Sequence, residues 1–454
     1  MTTETSRRSP LGRRAFLAAA GTAVAAAAAV PAVRALTGPD LPTDRPELPG
    51  LPELATTDTD GLRVAELVAA SAGPGLVYNG SSPGPLLRLR EGDRVRVDFT
   101  NTTDAPSSLH LHGLPLTPDV DRPLEHVMPG GSSSQEFTVT PGCAGTYWYH
   151  PHAHGDVERQ LLAGLAGPVV VTGPADERPG LVEADDRLVM FTVSGREILA
   201  NGVRRPGTTV RSGLTRLRLL NATAGDHLLL GCVRRDRSRP PLHLIATDAG
   251  LIERPHRVQE ILLAPGERAE VLVETTEAGP LGLVRLPYSV HGPGGEAAND
   301  EETLLVLDVP EGLAPVPLPD HLAPVEELDP ATAVRTRRVV FDAAPDGAFT
   351  VDGRVFDMDR VDARADLDTL EIWEVANDHA ADHPFHLHSY PVQVLDRDGV
   401  PEPFRAWRDT VNVPAGSTVR LLVPFRHGGG RTVYHCHILN HEDLGMMGVL
   451  EVAG

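Results

Sequence analysis

Polar and apolar residues alternate with period two over much of this chain, and one alternating stretch occurs in three related copies. Each copy ends in asparagine: Asp93-Arg94-Val95-Arg96-Val97-Asp98-Phe99-Thr100-Asn101, Thr215-Arg216-Leu217-Arg218-Leu219-Leu220-Asn221 and Thr369-Leu370-Glu371-Ile372-Trp373-Glu374-Val375-Ala376-Asn377. Successive side chains of a strand point to opposite faces, so the alternation predicts strands with one face toward a core. A Pro/Gly turn into a further alternating strand follows each copy, at Pro129-Gly130-Gly131, Pro265-Gly266-Glu267-Arg268 and Pro414-Ala415-Gly416. The turns recur about every 140 residues, too long a period for a solenoid and suited to three tandem domains of one architecture. Short strands between frequent turns indicate antiparallel β-sandwiches. The expected domains span 55–176, 177–312 and 330–454, with Pro-rich linkers at 36–54 and 313–329.

The first 35 residues break the pattern. Arg13-Arg14-Ala15-Phe16-Leu17 opens a run of small and apolar residues that reaches Val30, and Val33-Arg34-Ala35 offers a small-residue cleavage site. This is the form of a signal peptide, too short to span a bilayer. The paired arginines resemble a twin-arginine export signal, which implies an extracytoplasmic location, secreted or in the cell envelope. No other segment is long and apolar enough for a membrane span.

Composition then narrows the function. The 454 residues are 41% hydrophobic and 23% charged, which suits a folded protein with a sizeable core. The net charge is −21, all of the basic residues are arginine, and the N-terminal segment holds an excess of them. The remainder is acidic enough to repel phosphate backbones, which argues against nucleic acid as a partner. Three cysteines exclude a disulfide-rich scaffold.

The 19 histidines stand out, because over half fall in four clusters. These are His110-Leu111-His112-Gly113, Trp148-Tyr149-His150-Pro151-His152, His383-Pro384-Phe385-His386-Leu387-His388 and His435-Cys436-His437, the last continuing to His441 and Met446. An H-x-H pair on a strand sets both imidazoles on one face. Two pairs from the first repeat and two from the third can line an interface, while the second repeat has none. Imidazoles suit copper, zinc, iron or nickel, and a cysteine thiolate with two histidines and an axial methionine is the blue-copper set. Cys436, His383, His441 and Met446 supply that set. In His435-Cys436-His437 the thiolate points one way and the flanking rings the other, toward a second metal cluster.

On these motifs the chain resembles the three-domain multicopper oxidases, the family of laccases, bilirubin oxidases and cuprous oxidases. The resemblance covers nearly the whole chain after the signal segment. It includes Tyr78-Asn79-Gly80-Ser81-Ser82-Pro83-Gly84-Pro85 in the first repeat and Arg216 to Asn221 in the second. It implies an all-β fold of three cupredoxin-like Greek-key sandwiches and four copper ions. A type 1 copper would take His383, Cys436, His441 and Met446. A type 2 copper would take His110 and His386, and a type 3 pair His112, His150, His152, His388, His435 and His437. Electrons from a reducing substrate would pass one at a time from the type 1 copper through Cys436 to His435 and His437, and four together would reduce O2 to water. Glu442 resembles the family's proton donor and Asp121 its second acidic relay. His154, Met447, His379 and Asp382 lie beside the motifs as weaker candidates.

The reducing substrate has two candidate classes. One is laccase-like: phenols, aromatic amines or bilirubin-type pigments. The other is Cu(I), which thioethers select. The chain has only six methionines, and Ala380-Ala381 precedes His383 where a methionine would favour Cu(I). A third possibility is a copper-free structural or cell-division role, which some family members have, but all twelve ligand positions are filled here. Cys143 and Cys232 lie outside the metal set and are a disulfide candidate in an exported protein, against the alternative of small buried hydrophobes.

Overall fold

A computed structural model describes residues 40–454 apart from positions 293 and 346. The segment expected to be a signal peptide lies outside the described residues. Three β-sandwiches follow one another along the chain, each around its own apolar core. In the first, one sheet runs Thr56–Thr59, Leu62–Ala72, Arg94–Asn101, Ser132–Thr138, and the other Leu87–Arg90, Gly167–Thr172, Gly145–His150, His110–His112. In the third, the sheet that carries chemistry runs Ala363–Asp366, Met447–Ala453, Gly430–Cys436, His383–Leu387, Thr410–Val413.

The sheets are mixed, where alternation and turns pointed to antiparallel ones. In every sandwich a long strand pairs in parallel with the strand that ends in asparagine: Leu62–Ala72 with Arg94–Asn101, Asp185–Ser194 with Leu214–Asn221, and Arg335–Ala343 with Thr369–Asn377. Period two is the same in either direction, so the pattern carries no information on this point.

The repeated asparagines have one physical role. The Asn101 side-chain amide donates to the carbonyls of Ala105 and Val127, both at 2.8 Å. Asn221 does the same to Asp226 (2.8 Å) and Leu263 (2.9 Å), and Asn377 to Ala381 (2.8 Å) and Val413 (2.9 Å). The Pro/Gly turn closes on the same residue, since the amides of Gly130, Gly266 and Gly416 donate to the carbonyls of Asn101, Asn221 and Asn377. Each buried asparagine therefore ties its strand end to the turn that follows, satisfying carbonyls that would otherwise be stranded.

The middle copy differs in burial. Leu214–Asn221 is buried at every position, including Arg216 and Arg218. Both arginines reach Glu270, with Arg216 Nε at 2.8 Å and Arg218 Nη1 at 2.9 Å, and Glu270 also accepts from Thr146 of the first sandwich at 2.7 Å. The face that alternation assigns to solvent is here the surface on which the first sandwich docks.

The Pro-rich segments are pinned to the sandwiches. The Leu48 amide donates to Gly207 (2.7 Å) and the Leu54 amide to Leu86 (2.8 Å), which straps residues 40–54 across the second and first sandwiches. Leu322 is fully buried in the second core. All three cysteines are free: Cys143 packs in the first core and Cys232 in the second, so no disulfide joins them. Among the described residues no helix is long and apolar enough to cross a membrane.

Candidate metal centre

Strand pairing assembles the four histidine clusters. His110–His112 pairs with Gly145–His150, setting His110 opposite His150 and His112 opposite Trp148. His383–Leu387 pairs with Gly430–Cys436, setting His386 opposite His435 and Phe385 opposite Cys436. Only the first H-x-H pair lies wholly within a strand; His152, His388 and His437 fall just past strand ends. The two rings of a pair consequently serve different groups. His112, His150 and His437 converge in one group, and His152, His388 and His435 in a second. His110 and His386 face each other, with His112 nearby. All eight of these side chains are buried.

Hydrogen bonding shows what the convergence is for. Asp121 accepts from His110 Nδ1 and His388 Nδ1, both at 2.7 Å. His150 Nδ1 donates to the Pro151 carbonyl at 2.8 Å, His386 Nδ1 to the Asp409 carbonyl at 2.9 Å, and His435 Nδ1 to the Cys436 carbonyl at 3.0 Å. His112 Nε2 donates to Asp409 Oδ1 at 2.9 Å. In a neutral imidazole the other nitrogen then carries only a lone pair. Those bare nitrogens point at one another: His388 Nε2 to His435 Nε2 at 3.1 Å, His112 Nδ1 to His150 Nε2 at 3.4 Å, and His110 Nε2 to His386 Nε2 at 3.4 Å. Facing lone pairs repel unless a cation sits between them, so the residues fit metal ions. Burial also pushes the pKa values of His110, His112, His152, His388 and His437 well down and that of His150 to about 3, keeping the rings neutral as ligands must be.

The Cys436 group lies on the other side of the same strand. Cys436 Sγ is 3.3 Å from His383 Nδ1 and 3.9 Å from His441 Nδ1, and the two nitrogens are 3.2 Å apart. The Ile438 amide donates to Sγ at 3.4 Å. Burial pushes the thiol pKa up, so a thiolate here needs a cation beside it. Met446 packs in the same core as Cys436, and its carbonyl accepts from the Cys436 amide at 3.0 Å. Met447 is buried too but opens the next strand, opposite His435.

The helix Leu439–Asp443 carries one residue for each group. Consecutive helical residues are about 100° apart, so His441 turns to Cys436 while Glu442 turns to the imidazoles. Glu442 lies 3.2 Å from both His152 Nε2 and His435 Nδ1. Burial pushes its carboxyl pKa up, but the adjoining His435 and His152 rings, His435 also as a hydrogen-bond donor, outweigh this and hold it at about 2.

The weaker candidates separate. His379 Nδ1 lies 3.0 Å from His383 Nε2, so His379 abuts the Cys436 group. His154 stacks edge-on against His152 and His126 and joins no ligand group. Asp382 is buried and structural, bound by Tyr288 Oη at 2.5 Å, Asn412 Nδ2 at 3.0 Å and the Ala415 amide at 3.0 Å. Sequence reasoning missed Asp409, Arg268 and Phe349. Asp409 has no local motif to mark it. Arg268 was visible as the last residue of a repeated turn, where the other two copies carry Ser132 and Ser417. Phe349, whose ring stacks on His441 at 3.7 Å, arrives from a strand distant in sequence.

Two multicopper oxidase family signatures match the chain, over residues 65–176 and 327–454. The chain is 27% identical to the multicopper oxidase mco of Staphylococcus haemolyticus over 83% of each chain. It is 28% identical to the cell division protein FtsP of Escherichia coli over 91% of this chain and 92% of that one. Among solved structures it is similar to a multicopper oxidase from Campylobacter jejuni described as a metallo-oxidase, with a TM-score of 0.82, 26% identity, and coverage of 93% of this chain and 98% of that one. With the cupredoxin fold and these converging ligands in place, the chain belongs to the multicopper oxidase family and is an oxidoreductase of the kind that uses O2 and a reducing substrate.

Proposed function

We propose that this protein is an exported, laccase-like oxidase with four coppers per chain. His383, Cys436, His441 and Met446 hold a type 1 ion. His110 and His386 hold a type 2 ion. The two groups His112, His150, His437 and His152, His388, His435 hold a type 3 pair. Bound there, copper supplies one-electron acceptance from the substrate and four-electron reduction of O2 to water. The chain's own residues arrange that chemistry. Cys436 links the two sites covalently through His435 and His437, its neighbours on either side. Asp121 fixes the rings of His110 and His388. Glu442, a buried carboxylate beside His152 and His435, is placed to take up protons and pass them into the space those imidazoles enclose. Glu442→Gln is expected to slow O2 reduction by about 100-fold or more, the usual weight of a positioned acid, while the blue band still bleaches with substrate. Unchanged turnover at limiting O2 would remove Glu442 from this role.

The observation that carries the substrate class is the surface around His441. Phe349 covers the His441 ring where a Cu(I) site would want a thioether. Leu444, three residues on, is 55% exposed, and Val355, which abuts Gly445, is 45% exposed. An apolar, aromatic surface suits a phenol or aromatic amine. A panel of 2,6-dimethoxyphenol, bilirubin and Cu(I) tests this. The organic substrates are expected to turn over faster, and a strong preference for Cu(I) would favour the cuprous oxidase reading, to which the metallo-oxidase likeness lends support. The likeness to FtsP does not carry a structural role here, because the facing lone pairs make sense only around metal. The paired arginines of the N-terminal segment support export by the twin-arginine route.

A further inference from the structure

The second sandwich holds no histidine cluster, yet it sends one buried side chain to the edge of the metal centre. Arg268 is 1% exposed, and each of its five side-chain N–H groups has an acceptor. Nε donates to the Thr146 carbonyl at 3.1 Å. Nη1 donates to the Gly266 carbonyl at 3.0 Å and Asp409 Oδ1 at 2.8 Å. Nη2 donates to the Asp248 carbonyl at 2.8 Å and Asp409 Oδ2 at 2.6 Å. The guanidinium thus grips the Asp409 carboxylate with both arms, the geometry that arginine offers and lysine does not.

Asp409 in turn touches two rings. Its Oδ1 accepts from His112 Nε2, and its backbone carbonyl accepts from His386 Nδ1. His112 is the ring whose δ nitrogen, not its ε nitrogen, faces the ligand group, with His437 Nε2 at 3.3 Å. Space for the guanidinium comes from Gly113, the residue after His112: a Cβ there would lie 2.1 Å from Arg268 Nη2. Gly113 also has φ +87°, a conformation that side chains disfavour.

We propose that Arg268 and Asp409 are positioning residues that hold His112 with its proton on Nε2 and its Nδ1 lone pair aimed at one type 3 copper. Residues from all three sandwiches then meet at this one ring: His112 from the first, Arg268 from the second and Asp409 from the third. The middle sandwich is thereby part of the metal centre without supplying a ligand. The inference rests on the four-copper reading of this site.

The test compares copper-loaded wild type with Asp409→Asn and Arg268→Lys by native mass spectrometry during stepwise chelation, with the visible band followed in parallel. Asparagine keeps the shape but has no charge and only one acceptor oxygen, so it cannot serve His112 and both arms of the guanidinium; lysine keeps the charge but not the fork. Loss of such a supporting group typically weakens metal binding 10–100-fold. Each variant is therefore expected to fall to three coppers per chain at chelator levels that leave wild type at four, with the blue band intact. In the metal-free variants, nitrogen NMR of the His112 ring is expected to show the proton shared between Nδ1 and Nε2, where wild type shows it on Nε2 alone. Variants that keep four coppers at wild-type affinity would overturn the proposal. So would variants that lose the blue band along with the other coppers, since that marks a general scaffold role. A wild type that binds no copper would overturn the reading beneath the proposal instead.

Discussion

Cys436→Ser is expected to abolish both the intense visible band of the copper-loaded protein and its oxidase activity, leaving the histidine-held coppers bound. The reason lies in how the site is divided. Sγ is the only sulfur anion available to the His383 and His441 pair, at 3.3 and 3.9 Å from their Nδ1 atoms, and the band belongs to a thiolate–copper bond. A serine hydroxyl makes no such bond. The same residue is the covalent bridge to His435 and His437, so the substitution also cuts the route between the two sites. The histidine groups lie on the opposite side of the strand and keep their hydrogen bonds to Asp121, Asp409 and the backbone. Absorption and copper content, read together, check this; a variant that kept the band would refute the assignment of Cys436.

His437→Ala is expected to give the complementary result: O2 consumption falls to background while the blue band survives at least in part. The ring of His437 sits with His112 and His150, its Nε2 3.3 Å from His112 Nδ1, and contributes nothing to the Cys436 group. Gly266 lies against it so closely that a Cβ there would fall 2.9 Å from the ring, so the ring sits in a close-fitting slot. Anaerobic bleaching of the blue band by substrate, followed by exposure to air, separates the two functions. The band is expected to bleach and then fail to return. Recovery at the wild-type rate would mean that His437 is not part of the O2 site.

Much of this site was legible in the sequence because its ligands come in short, dense motifs. The period-two spacing of His435, Cys436 and His437 was enough to separate two metal environments, and the structure places those residues in separate groups. The three asparagine-ended strands and their turns were legible as repeats, although their meaning, a side chain that latches strand to turn, required coordinates. What stayed hidden depends on contacts between distant segments. Asp409 looks like any acidic loop residue until Arg268 is found against it, 141 positions earlier in the chain. Alternation alone would put Arg216 and Arg218 on a face away from the core, yet both are buried, bonded to Glu270. Strand direction was hidden for a simpler reason, since alternation is identical in parallel and antiparallel pairs. Whether Cys143 and Cys232 pair could not be read from the sequence, and each free thiol proves to belong to a different core.

The central claim is that twelve side chains from the first and third sandwiches hold copper at two connected sites. Copper counted per folded chain by native mass spectrometry, after reconstitution with copper, addresses it most directly. About four ions per chain are expected from the ligand sets, with an intense blue band. A folded chain that takes up no copper, or binds it without colour, would contradict the claim.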